Sequence, residues 1–199
     1  MTEQSNAARK PTAENGLDLV ICGLHEIDGT LDARVTHVIS ILDPGTEEPA
    51  KFAELDAARL LRLRFNDIIE VQPAGEPPGE GHIAALVEFG GAVAAHDNHR
   101  ALIHCHMGIS RSTAAAIILV ADQGRDAEAA VARVTALRPI AWPNLRMIEL
   151  ADALLGFDRR LVYAVRRHHA KALLRRPELR DAFIRTGRAR EVEGLEGLI

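Results

Sequence analysis

The stretch His104–Thr113 reads HCHMGISRST and decides the fold. It follows a short apolar run, Ala101 to His104, and opens a segment rich in Ala, Ile and Leu, from about Ser110 to Gln123. That is the pattern of a buried strand, a tight loop and a helix. A loop at such a junction turns several backbone N–H groups toward one point, beside the positive end of the helix dipole, and so binds phosphate-like anions. Gly108 lets the backbone curl without a Cβ clash. Arg111, six residues after Cys105, reaches back to hold two phosphate oxygens. The same surroundings favour the thiolate of Cys105 and make it a nucleophile.

Outward from this loop, strands alternate with helices. Leu17–Cys22 and Val35–Leu42 read as strands, the second stopped by Asp43-Pro44-Gly45. Thr46 looks like the N-cap of a helix running to about Leu60, followed by a strand over Leu61–Phe65. Glu70–Gly81 holds three Pro and three Gly and reads as a loop of 12 residues, a length that is uncommon unless it serves a site. Helices are expected over His82–Ala95, over Ser110–Gln123 with Gly124 as its C′ residue, over Asp126–Leu137, and over Leu145–Leu155. The order implies an α/β domain around a mainly parallel sheet of four to five strands flanked by helices.

The 199 residues fit one domain over 17–156, with a flexible arm at 1–16 and a basic helical extension at 157–199. The net charge of −4 conceals an asymmetry. From Asp158 to Arg190 there are eleven Lys/Arg against three Asp/Glu, so an acidic body carries a basic C-terminal segment. Leu154, Leu161, Val165, His168 and Ala172 fall on one helical face there, interrupted near Pro177. Such a segment is ordinarily a solvated helix face; the sharper reading is a surface for an acidic partner, nucleic acid or a membrane surface. The acidic body and the lack of interleaved aromatics argue against nucleic acid. No apolar run reaches the length of a membrane span, and the N-terminus lacks the apolar core of a secretory signal, so a cytoplasmic location is expected. Two cysteines are too few for a disulfide framework, and Cys22 reads as core, with a redox role toward Cys105 as the sharper alternative. His104-Cys105-His106 is not read as a metal site, because adjacent residues seldom converge on one ion.

HCHMGISRS resembles the HCxxGxxRS signature loop of the protein tyrosine and dual-specificity phosphatase superfamily. THVISIL (36–42), a later acidic loop, the signature, and LRPIAWPN (137–144) follow in that family's order, so the resemblance spans roughly Leu17 to Leu155. It implies cysteine-dependent hydrolysis of phosphotyrosine, and of phosphoserine or phosphothreonine, through a phosphocysteine, with no cofactor or metal. The substrate would be a phosphorylated protein or a small phosphomonoester. Cys105 would be the nucleophile, Arg111 the clamp, and Ser112 the hydroxyl that eases departure of the thiolate. His106, Met107, Gly108, Ile109 and Ser110 would bind substrate, while His104 would brace the loop. Asp67 is expected as general acid and base, with Glu70, Glu76 and Glu80 as rivals. Trp142 reads as packed on the core, with Asn144 bracing the site. A phosphoinositide or inositol-phosphate substrate is the first alternative, disfavoured because the loop holds no lysine. A non-catalytic phosphate-binding module is the second, disfavoured because Cys and Arg are both present. A sulfurtransferase would not require Arg followed by Ser.

Overall fold

The computed structural model describes residues 16–73 and 75–199. The arm expected at 1–16 therefore lies outside the described residues except for Gly16. Four strands, β1 (Asp18–Gly23), β2 (His37–Leu42), β3 (Leu60–Arg64) and β4 (Arg100–Cys105), form one sheet in the order β1-β4-β2-β3. Every pairing is parallel. β2 is buried along its whole length, which fits its mainly apolar and β-branched sequence, with Val38, Ile39 and Ile41.

Alternation along the strands sorts side chains to two faces. Leu19, Ile21, Ile39, Ile41, Ala101 and Ile103 join the main core. Cys22, Val38, Leu60 and Leu102 point to a smaller cluster closed by Phe52 and Ile27. The main face is covered by α2 (Glu80–Ala95), α3 (Arg111–Gly124), α4 (Ala127–Leu137), α5 (Leu145–Leu155) and α6 (Arg160–Arg175). Among the described residues, the other face carries the single turn α1 (Ile27–Thr30) and short 3-10 turns. α3 is the central helix: Ala114 through Leu119 are all buried, so it is apolar around its circumference rather than amphipathic.

The helix expected from Thr46 to Leu60 does not form. That segment is irregular, with 3-10 turns at Ala50–Glu54 and Ala57–Arg59. Phe52 is its one fully buried anchor, so it has no continuous apolar face to lay on the sheet. Glu48 is instead drawn to β3, where it meets Arg62 at 2.7 Å and Arg64 at 2.5 Å. At the end of α3 the left-handed residue is Arg125 (φ 54°), not Gly124. Its side chain offsets the strain by donating to the Leu155 carbonyl at 2.7 Å and lying 4.4 Å over the Phe157 ring.

The C-terminal segment is only partly the solvated face expected of it. Leu161 and Val165 of α6 are buried in the main core, whereas Leu154, placed on the same face from sequence, ends α5 and is exposed. The buried Asp152 caps α6 by accepting from the Arg159, Leu161 and Val162 N–H groups. Past Pro177, α7 (Leu179–Arg185) and the chain after it fold back toward the end of β4.

Candidate active site

Cys105 is the last residue of β4 and Arg111 the first of α3, so the signature loop is the strand-to-helix turn at the sheet's carboxyl end. Outside donors take the loop's carbonyls. Leu24 N–H donates to His106 O, Arg138 to Met107 O and Gly108 O, Trp142 N–H to Ile109 O, and Ala114 N–H to Ser110 O. By contrast, the N–H groups of His106–Ser110 have no protein acceptor among the described residues. Carbonyls fastened outward and free N–H groups within are the anatomy of an anion nest. Gly108 is the pivot, with φ +67° and a hypothetical Cβ only 2.5 Å from the Cys22 carbonyl carbon. Arg138 is itself held by Glu26 at 2.6 and 2.9 Å, and that guanidinium keeps the Glu26 carboxyl below its ordinary pKa.

Inside the loop, Cys105 Sγ lies 3.3 Å from Ser112 Oγ, both buried. Arg111 is 2% exposed. Its Nη1 donates to Asp43 Oδ1 and to Phe65 O, both at 2.6 Å, and its Nη2 lies 2.9 Å from His106 Nδ1. Asp43, in the turn after β2, is thus the carboxylate partner of Arg111.

The sequence expectations for the neighbours are met unevenly. His104 is fully buried against Phe52, with ring centroids 5.2 Å apart, and neither ring nitrogen has a hydrogen-bond partner. Burial pushes its pKa down to about 4. It braces the loop as a neutral packed ring, not through hydrogen bonds from its ring. Burial pushes the Cys22 thiol up to about 12, with Glu26 adding to the effect, so it is an inert core thiol. His106 turns to Arg111, Met107 is exposed, and Ile109 is half-buried.

Asp67 lies at the loop. Its Oδ1 accepts from Ser110 Oγ at 2.8 Å and from Asn144 Nδ2 at 2.9 Å, and its Oδ2 is 3.3 Å from Arg188 Nη1. Asn144 also caps α5 by accepting from Met147 N–H. The rival Glu70 is paired with Arg190, and Glu76 lies 3.9 Å from His82.

Arg188 and its surroundings are what sequence reasoning missed. Its side chain is 10% exposed and donates to Ser110 Oγ at 3.0 Å and to Glu191 at 2.7 and 2.8 Å. Glu191, fully buried, also accepts from Trp142 Nε1 and Leu145 N–H. Burial raises the Glu191 carboxyl against the pull of Arg188. Burial alone would lower Arg188, but Asp67 and Glu191 hold it above its ordinary value. Trp142 is sandwiched between His169 and Phe183, each ring 4.2 Å away. Cys105, Arg111, Asp67, Arg188, Trp142 and Phe183 together line a cavity of about 180 Å³. Nothing in GRAREVEG (187–194) marks one arginine of a basic segment as turned inward.

The fold is shared with known structures. A phosphatase, PTP-2 of Cydia pomonella, superposes with a TM-score of 0.53 at 21% identity, over 69% of this chain and 86% of that one. The chain has the fold of the tyrosine and dual-specificity phosphatases. The Yvh1 phosphatase domain of Chaetomium thermophilum matches with a TM-score of 0.51 at 21% identity, over 74% and 96% of the two chains. A human tyrosine phosphatase-like serine/threonine/tyrosine-interacting protein matches at 0.50 and 22%, over 68% and 83%. No protein-family model matches the chain, and no curated protein matches it in sequence.

Proposed function

We propose that the chain is a cysteine-dependent phosphatase that hydrolyses phosphotyrosine, and also phosphoserine or phosphothreonine, in protein substrates. The observation that carries this reading is Cys105 Sγ at the base of an N–H-lined loop, 3.3 Å from Ser112 Oγ and beside the buried Arg111. The thiolate attacks phosphorus while the loop N–H groups and Arg111 hold the equatorial oxygens. Arg111 exchanges Asp43 for the phosphoryl group as substrate enters. The P–O bond to the leaving group breaks, and Asp67 protonates the departing oxygen.

Of its two oxygens, Oδ1 is already an acceptor for two donors, whereas Oδ2 meets only Arg188 at 3.3 Å. Oδ2 is therefore the oxygen with room to carry the proton. In the second step Asp67 takes a proton from water, water attacks phosphorus, and Ser112 donates to the departing thiolate. Arg188, held by Glu191 and donating to Ser110, is a positioning residue that keeps Asp67 against the loop.

Acid quench during turnover, followed by mass spectrometry, tests this reading. It predicts a phosphoryl adduct on the peptide containing Cys105, and an adduct on any other residue contradicts it.

A further inference from the structure

A second and larger cavity, of about 890 Å³, lies beside the candidate catalytic one. α4, α6, α7 and the chain after α4 wall it. Ile109, Trp142 and Phe183 line both cavities and so form a wall common to the two. It is hollow because the facing helices present small residues: Ala132 and Ala136 on α4, Ala164 and Ala172 on α6. Its lip carries Ile140, a large apolar side chain that is 50% exposed.

The rim is cationic. Arg167, Lys171 and Arg175 recur every four residues along α6 and so share one face of it. Arg167 is committed to Glu128 at 2.9 Å. Lys171 and Arg175 are exposed and have no ion-pair partner among the described residues, whereas Arg176 beside them meets Glu178 at 3.3 Å. An apolar hollow bordered by two uncommitted cations and sharing a wall with a phosphate loop fits one kind of occupant. It must be anionic, carry a bulky apolar group, and adjoin a phosphoryl group.

We infer that this cavity docks the stretch of a phosphoprotein substrate flanking its phosphorylated residue. An apolar side chain of that stretch enters between α4 and α6, and its carboxylates meet Lys171 and Arg175. The inference rests on the phosphatase reading and adds to it a preference for acidic, apolar flanking sequence. Extended chain covers about 3.3 Å per residue, so positions a few residues from the phosphorylated one reach the hollow. A protein segment fits better than a membrane surface, because the free cations border a recess on one helix while the chain as a whole is acidic.

Three substrates test it: para-nitrophenyl phosphate, a phosphotyrosyl peptide flanked by Glu and Leu, and one flanked by Lys and Ser. Wild type should prefer the Glu/Leu peptide, and the preference should fade as salt is raised. The Lys171→Glu/Arg175→Glu variant should raise KM for that peptide about three- to tenfold. Turnover of para-nitrophenyl phosphate should not change. Ala136→Trp, which fills the hollow, should act likewise. An unchanged KM in both variants overturns the inference, as does equal use of the two peptides by wild type. Binding to phosphatidylserine vesicles that the double variant abolishes, with no peptide effect, reassigns the cations to a membrane surface and also overturns it. Anisotropy of the unphosphorylated Glu/Leu peptide on Cys105→Ser protein reads docking without chemistry. Docking that persists while turnover proves independent of Cys105 leaves the cavity assignment standing and removes the phosphatase reading.

Discussion

Arg188 Nη1 lies 3.3 Å from Asp67 Oδ2, joining the chain after α7 to the loop after β3. The same guanidinium donates to Ser110 Oγ, a residue of the signature loop that also donates to Asp67. Asp67, Ser110 and Arg188 thus form a closed triangle at the mouth of the cavity, and Glu191 holds its third corner from behind.

A double-mutant cycle checks the function of that triangle. Asp67→Asn should lower turnover of phenyl phosphate about 10²- to 10⁴-fold while sparing para-nitrophenyl phosphate, whose good leaving group needs no proton. Arg188→Ala should reproduce part of this leaving-group-dependent loss, but add little in the Asp67→Asn background. Additive losses, or equal losses on both substrates, would show that Arg188 does not act through Asp67.

Glu191→Ala should destabilise the fold by about 3–5 kcal/mol, because it leaves Arg188 as a buried cation stripped of its main partner. It also orphans Trp142 Nε1 and Leu145 N–H. Urea unfolding of the full chain measures this; a loss below 1 kcal/mol, within the range for surface pairs, would contradict it.

Stability should fall as the pH drops from about 6.5 toward 4. Burial lowers the pKa of His104 to about 4 and holds His37, His168 and His169 below their ordinary value. Between the folded and unfolded values the unfolded chain binds more protons, so acid favours unfolding, and above the unfolded value these groups add no slope. Thermal melts at pH 7 and pH 5 check the sign, and a higher Tm at pH 5 would contradict it.

Gly108→Ala should disable the loop. A Cβ there meets the Cys22 backbone at 2.5 Å, on a backbone with φ +67° that costs an L-residue about 1–2 kcal/mol before any clash. Activity should be lost while far-UV circular dichroism is kept; full activity would mean that the loop tolerates another path.

How much was legible follows from where each interaction sits along the chain. Cys105, Gly108, Arg111 and Ser112 fall within eight residues, so their geometry follows from one strand-to-helix turn, and the strands around it announce themselves by unbroken apolar runs. Asp67 was singled out because the family resemblance calls for an acid upstream of the signature and Asp67 stands between a strand and the Pro/Gly-rich stretch; it lies against Ser110 and Asn144. Asn144 was read as bracing the site and not as the cap of α5 that it also is. Asp43 was read only as a turn residue, because its partner Arg111 comes from a distant element. Arg188 was hidden for a stronger reason: among eleven cations of that segment, only burial against Glu191 and Phe183 distinguishes it, and burial of that kind is tertiary. The helix assigned from Thr46 failed because its local capping signals had no continuous apolar face behind them, Phe52 being the one fully buried side chain of that segment.

The most direct test of the central claim is hydrolysis of para-nitrophenyl phosphate under reducing conditions with excess EDTA, comparing wild type with Cys105→Ser. The account predicts turnover that survives the chelator in wild type and vanishes in the variant. Turnover that persists in Cys105→Ser, or none at all in folded wild type, would contradict it.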